Sequence, residues 1–432
     1  MGVEIKNKGI LINNNYSEAY INEEVYDEII SLSAQTLSTD FEPISYDLNP
    51  YSGDTTPYIR PTEWLELPAL TEGDNKFIGL HPIFNDNNFC AIKATTYSGY
   101  TVDWGDGIIE NYNSNDTAYH FYNLDSFSGQ TGSTYDYKQT IVQLYPTLSG
   151  DSLLTLDFRV KPLTGISTYN QNPTINWLDI KIVGSNINNI NLGNTQEYDS
   201  LSDYNYTTSD PIMLEQFEFI GTNKITSVYY LFGNCRNLQK IVQFDTSLVT
   251  NFIGMFNNCL FKEIDTLDTS NGTNFSYMFQ YCYLLKTIPL IDTSKGTNFS
   301  YMFQYCHNLR YIPLINTSNG INFYYMFQYC YLLKTIPLLN TSNGINFSYM
   351  FRGCKSLLTI PLIDTSNGIY FSYMFRECKS LLEIPLINTM NCFDFSYMFQ
   401  YCYQLQTIPL LDTSSGITMY RMFRDCSKLQ NI

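Results

Sequence analysis

Apolar and polar positions repeat with a fixed period through the second half of the chain. One unit, Phe275 to Asn298, reads FSYMFQYCYLLKTIPLIDTSKGTN. Its cysteine sets the register: Cys235, Cys259, Cys282, Cys306, Cys330, Cys354, Cys378, Cys402 and Cys426 are 24, then 23, then always 24 residues apart. A period of that length predicts a stacked array. Phe275, Met278, Phe279, Cys282 and Leu285 recur at three- and four-residue steps, which predicts one apolar face of a short helix. Ile288 and Leu290 alternate with Thr287 and Pro289, which predicts a strand, kept short because proline donates no ladder bond. Asp292 to Gly296 is turn chemistry. With every large apolar side chain aimed inward, a unit buries its face only against its neighbours. The strands would form a parallel ladder at about 4.8 Å, and nine coils would extend about 40 Å.

The first half follows other periods. Ser17 to Ser33 predicts a helix, with Ile21, Val25, Ile29 and Ile30 on one face. Asp40 to Pro61 reads as linker. Short β-branched or aromatic runs then follow at Phe77–Leu80, Phe89–Ile92, Tyr100–Trp104 and Thr140–Leu144. Gly105-Asp106-Gly107 offers the positive φ values of a tight hairpin. Trp177–Ile182 and Leu214–Phe219 read as the first, irregular strands of the repeat array, which cap it. The division is thus 1–62, a docking segment or an arm packed on its own chain; 63–160, an all-β module; and 161–432, the repeats.

Composition narrows the chemistry. An apolar content of 44% is that of a folded protein. A net charge of −17 disfavours nucleic acid or an anionic membrane as partner. No run approaches the roughly 18 apolar residues of a membrane span. The opening residues, MGVEIKNKGILINNN, carry no apolar signal core, and a cytoplasmic origin with no export is the expectation. Nine cysteines share one inward position, which predicts a reduced, buried thiol ladder; Cys90 and Cys392 stand outside it. Only His81, His120 and His307 occur, and none falls in a catalytic, metal or phosphate-loop pattern, so no enzyme activity, cofactor or metal is expected. Asp103 and Asp106 are too few for a calcium loop and read as turn residues, with His120 as a packed strand residue.

Two resemblances sharpen this. Met-Phe-x-x-Cys-x-x-Leu-x-x-Ile-Pro-Leu-x-x-Thr-Ser, first complete at Met278–Ser294, resembles the BspA-like leucine-rich repeat, which occurs in bacterial surface proteins and bacteriophage virion proteins. Val102-Asp-Trp-Gly-Asp-Gly107, His120-Phe-Tyr122 and the strand after Tyr137 resemble the PKD domain, an immunoglobulin-like sandwich whose tryptophan is core and whose aspartates organise a turn. The resemblances imply an α/β leucine-rich-repeat solenoid of 24-residue units preceded by an all-β PKD/immunoglobulin-like sandwich. Arg60-Pro-Thr-Glu-Trp-Leu, the sandwich, Trp177-Leu-Asp-Ile and the repeats together are similar to phage tail-fibre or tail-associated proteins. That similarity implies a virion location, with other virion proteins as partners of the N-terminal segment. The last unit stops inside a strand with no cap, which predicts that a partner chain, a symmetry mate, as in a homo-oligomer, or further sequence beyond Ile432 covers that face.

On a helical wheel Tyr277 and Gln280 point outward, with Tyr281 at the flank. Stacking then aligns Tyr277, Tyr301, Tyr325, Tyr349, Tyr373 and Tyr397, and beside them Tyr281, Tyr305, Tyr329 and Tyr401. Such a column suits a host-surface glycan or protein; it also fits a layer that merely shields the repeats. Lys286, Arg310 and Lys334 stack, then give way to Leu358, Leu382 and Gln406, a stripe suited to an acidic glycan or simply solvated. Host attachment from the particle exterior is the expected role. A brace between virion components and an exported cellular adhesin are the alternatives.

Overall fold

The computed structural model describes residues 4–5, 10–11, 59–84, 88–123, 125, 137–159, 176–192, 213–261, 267–288 and 290–430. The chain divides into two compact units, 1–57 and 58–432. In the first, β1 (Glu4–Ile5) pairs antiparallel with β2 (Ile10–Leu11). The helix expected over Ser17–Ser33 and nearly all of the docking segment 1–62 lie outside the described residues.

The second unit opens with β3 (Lys76–Ile83), β4 (Phe89–Thr95), β5 (Tyr100–Asp103), β6 (Ile109–Tyr112), β7 (Thr117–Phe121), β8 (Lys138–Pro146) and β9 (Thr155–Asp157). It continues through β10 (Asp179–Val183), β11 (Asn189–Asn191), β12 (Gln216–Ile220) and β13 (Lys240–Val242). One sheet has the order β13-β12-β10-β3-β8-β5-β6 and the other β11-β9-β4-β7. Ile92, Trp104, Tyr122, Val142 and Leu156, drawn from both, are buried in one core. Pairing is antiparallel up to β3–β10 and parallel across β10–β12–β13 and β9–β11. Strands on either side of residue 160 therefore share both sheets, and the sandwich passes without a seam into the repeats.

The β5–β6 hairpin turns as its residues dictate. Gly105 and Gly107 have φ of +77° and +95°, and a Cβ on Gly105 would lie 2.5 Å from the Ile141 carbonyl oxygen. Asp103 Oδ1 accepts from Gly105 N at 3.0 Å and Asp106 Oδ1 from Ile108 N at 3.1 Å, so both aspartates organise the turn. The Trp104 indole is buried and donates to Glu110 at 2.9 Å.

The repeats stack, but not through helices. Phe275, Met278, Phe279, Cys282 and Leu285 are all buried, as their spacing required; among the described residues, however, there is no helix. Overlapping turns replace it. Met278 N bonds Phe275 O, Gln280 N bonds Tyr277 O, and Cys282 N bonds Phe279 O, each across three residues. The intervening amides of Tyr277, Phe279 and Tyr281 instead donate to Ser300, Met302 and Gln304 of the next coil at 2.8–3.0 Å. Two left-handed residues per coil make this possible: Tyr277 and Tyr281 have φ of +61° and +62°, the sign a type II turn requires at its third position. A helix satisfies its amides internally; these turns send alternate ones along the stack.

The expected parallel strand is also displaced. No strand forms among the described residues of Thr287–Leu290. Single parallel bridges run instead through Asn251, Asn274, Asn298, Asn322, Asn346, Tyr370, Asp394 and Thr418, and each except Thr418 comes one residue before the buried phenylalanine of its coil. Ile288 and Ile291 are inside, whereas Leu290 is exposed, so not every large apolar side chain faces inward. Gln280 is likewise not outward but buried. Its amide donates to Gln304, Gln304 donates to Gln328, and Asn257 donates to Gln280 at 2.7 Å.

Candidate binding surface

Each coil is held by side chains that repeat their partner from the coil before. The Cys306 thiol donates to the Phe279 carbonyl at 3.0 Å and the Cys330 thiol to Phe303 at 3.1 Å. Burial pushes both thiols up, as expected of a reduced ladder, and no cysteine is disulfide-bonded. Thr293 Oγ1, buried, donates to Asn316 O at 2.6 Å, and Thr317 to Asn340 at 2.7 Å. Asp292 and Asn316 each cap their own turn by accepting from Ser294 and Ser318. These ladders lie in the interior of the coils; the outer columns carry their exposed and half-buried side chains.

The structure brings together the six predicted tyrosines. Tyr277, Tyr301, Tyr325, Tyr349, Tyr373 and Tyr397 stack in sequence with ring centroids 4.3–4.8 Å apart and planes within 18° of parallel. They are half-buried. Burial, and then neighbouring tyrosines, push the Tyr301 and Tyr325 hydroxyls far up and that of Tyr373 to about 12. Since each ring covers its neighbour, the interior of the column presents edges and hydroxyls, not faces. Tyr324 adds a ring perpendicular to Tyr325 at 4.2 Å.

The second column has Tyr281, Tyr305 and Tyr329 at 4.9 Å spacing, then Gly353 and Glu377 at the same turn position, both with positive φ. Here Arg352 and Arg376 enter. Arg352 lies 5.3–5.9 Å from the rings of Tyr329, Tyr349 and Tyr373 and 3.5 Å from Glu377, knitting both columns by cation–π contact.

Sequence reasoning missed one column. Leu290, Leu314, Leu338, Leu362, Leu386 and Leu410 are 63–90% exposed, and the last four line a groove of about 790 Å³ with Asp364 and Asp412. In an unbroken Ile-Pro-Leu-Ile run, alternation cannot say which leucine turns out. The Lys286–Arg310–Lys334 stripe is half-buried, and burial, with Arg310, pulls the Lys334 ammonium down.

His120 Nε2 meets Asp106 Oδ2 at 2.8 Å and stacks on Trp104 at 5.3 Å. Burial pulls His81 down to about 3 and His307 to about 4. Among the described residues no three His, Cys, Asp or Glu converge as metal ligands, and no helix is long and apolar enough to cross a membrane.

Known proteins speak to the repeats. Residues 226–335, 282–382 and 322–432 each match a family described as a Mycoplasma protein of unknown function, DUF285; together the matches span just under half of the chain. This agrees with the BspA-like resemblance of the same residues. No curated protein matches. Two solved structures are similar at 16% identity and a TM-score of 0.25. One, a TLR13–ssRNA13 complex, is matched over 50% of this chain and 32% of its own, so the chain spans about a third of it. The other, a leucine-rich repeat protein from Eubacterium ventriosum, is matched over 56% of this chain and 90% of its own. The second half of the chain is a stacked repeat array, and it is this part that the family matches, over residues 226–432.

Proposed function

We propose that this chain is a non-enzymatic bacteriophage virion protein, placed on the particle exterior, that attaches the particle to a host surface through its repeats. The observation that carries the reading is the periodic outer surface: coil after coil offers the same tyrosine edge and hydroxyl at one spacing, which suits a ligand that is itself repetitive, such as a surface glycan or an arrayed protein. The PKD-like reading of 63–160 is supported by the buried Trp104 and the aspartate-organised turn. The virion location rests on the resemblance of the whole arrangement to tail-associated proteins. The test is attachment of the purified full chain to host cells, with Tyr301→Gly, Tyr325→Gly and Tyr349→Gly combined. Glycine keeps the left-handed backbone, so the stack survives while the hydroxyl column is broken. Attachment should fall at least tenfold, and an undiminished signal would sink the reading.

The brace reading is favoured by one specific observation, the exposed leucine column. A contiguous apolar strip marks an interaction site, and its partner in this reading is another virion chain or a second copy. Replacing Leu338, Leu362 and Leu386 with Asn should then abolish incorporation into particles while cell binding by the free chain stays unchanged.

A further inference from the structure

The exposed leucine column is a ridge with a groove beside it. Leu290, Leu314, Leu338, Leu362, Leu386 and Leu410 stand out from successive coils. Two residues on, an exposed aspartate or asparagine forms a second column: Asp292, Asn316, Asn340, Asp364, Asn388 and Asp412. The groove of about 790 Å³ runs between them, with buried Leu339, Ile363 and Ile387 in its lining. Before the leucine, each coil enters this face at Thr287, Tyr311, Thr335, Thr359, Glu383 or Thr407, all exposed except half-buried Thr287. The leucines therefore lie between a threonine-rich column and the aspartate–asparagine column. A contiguous apolar strip marks an interaction site, and here its spacing restricts the partner. To seat every leucine a partner must repeat once per coil, and a second copy of this chain does so by construction.

Symmetry and charge select how two copies meet. A two-fold contact presents the same patch from both sides. With the chains antiparallel, each column faces itself: ridge falls on ridge, groove on groove, and at full overlap Asp292 of each copy meets Asp412 of the other. Hydrogen bonds from Ser294 and Ser414 hold these carboxyls below the usual range, so both are charged and repel. With the chains parallel about an axis along the stack, the columns exchange sides instead. Each leucine ridge enters the other copy's groove, and the aspartate–asparagine column faces the threonine-rich column, coil by coil. The sequence suits that pairing. Asp292, Asp364 and Asp412 share their coils with Thr287, Thr359 and Thr407, while Glu383 shares its coil with Asn388. No carboxylate then meets another, and each meets a hydroxyl or amide donor. We infer that the leucine face binds a second copy of this chain in a parallel, in-register, two-fold dimer. The inference takes up the brace reading and names the partner of its leucine column.

The test measures the mass of the full chain in solution by sedimentation across micromolar concentrations. The parent should be a dimer. Leu338→Asn, Leu362→Asn and Leu386→Asn combined, all at exposed positions, should leave a monomer with the parent's circular dichroism. Thr359→Asp, which sets a new carboxylate against the partner subunit's Asp364, should weaken association at least roughly tenfold at low salt. Orientation is read with a short thiol cross-linker in a Cys426→Ser background, where the remaining native thiols are buried. Leu314→Cys alone should cross-link to its own copy. Antiparallel chains would set position 314 opposite position 386 and cross-link only a mixture of Leu314→Cys and Leu386→Cys chains. A monomeric parent, a dimer that survives the triple substitution, or cross-linking confined to the mixture overturns the inference. If the parent is monomeric and the triple variant still fails to enter particles, the dimer falls and the brace stands, with another virion chain as partner. If the parent dimerises through its leucines but the triple variant enters particles normally, the brace falls and the dimer stands.

Discussion

The left-handed tyrosines are the residues on which the coil geometry turns. A side chain with a Cβ costs about 1–2 kcal/mol in this conformation, and the stack repeats that cost at Tyr277, Tyr301, Tyr325, Tyr349, Tyr373 and Tyr397. Ring stacking offsets it, at about 0.5–1.5 kcal/mol per pair beyond area burial. Tyr349→Ala loses the rings but keeps the strain; Tyr349→Gly loses both. The alanine variant should therefore be less stable than the glycine variant by about 1 kcal/mol in urea unfolding. A helix gives the opposite order, since alanine outranks glycine there by about 1 kcal/mol. His81 offers a second test at this scale. It is fully buried against Trp177 at 5.0 Å, and neither ring nitrogen has a hydrogen-bond partner. Its folded value of about 3 lies below the ordinary 6.5, so below pH 6.5 the unfolded chain takes up a proton that the folded chain refuses. Stability is thus full above 6.5 and falls as the pH drops, by up to roughly 1.4 kcal/mol per pH unit. Urea midpoints at pH 7 and pH 4 should converge in His81→Leu relative to the parent.

One element, the coil, shows what the sequence could and could not tell. The inward set Phe275, Met278, Phe279, Cys282 and Leu285 was legible because burial depends only on which positions recur. The backbone path was not, because three- and four-residue steps fit a helix and a run of turns equally. A signal was present all the same: the positions equivalent to Tyr277 and Tyr281 hold Gly254, Gly353, Asn234, Asn258 and Asp425 in other coils, the residues that tolerate positive φ. The outward turn of Leu290 had no such signal, since Ile288 and Ile291 flank it with equal hydrophobicity. The tyrosine column was legible as a column, but the covering of its faces depends on ring orientation, which spacing does not carry. The column also has a titration consequence. Tyr373 in the column, and Tyr331, which stacks on His307 outside it, are held at about 12, chiefly by burial, against an ordinary 10. Above pH 10 the unfolded chain releases protons that the folded chain keeps, so their contribution is complete below 10 and is lost as the pH rises towards 12. Tyrosinate absorbance should therefore appear in two phases, the later one coincident with unfolding by circular dichroism.

For the whole repeat array, equivalence between coils is the property that matters. Among the described residues each coil bonds to the one before and the one after: Phe275 N to Asn298 O, Phe299 N to Asn322 O, Phe323 N to Asn346 O. The cysteine, threonine and phenylalanine ladders step by the same single coil; Phe279, Phe303 and Phe327 lie 5.6–5.7 Å apart. Stability is then a sum of coil terms and nearest-neighbour terms. Excising residues 299–322 joins Asn298 to Phe323 and recreates every one of these junctions, since Phe323 stands where Phe299 stood. The shortened chain should fold, keep a single cooperative transition, and lose stability by one coil and one interface. Removing 299–310 instead puts Tyr311 in the place of a phenylalanine, over Phe275, and sets Asn322 against Lys286. The thiol of Cys330 then has no aligned carbonyl, and the array should break at that point. Thermal unfolding followed by circular dichroism, with thiol labelling of the native protein, distinguishes the two. In the 24-residue excision the buried cysteines stay unreactive and half-buried Cys426 labels first, while in the 12-residue excision Cys330 and its neighbours become reactive. Comparable labelling in both variants would mean that the coils are not interchangeable units.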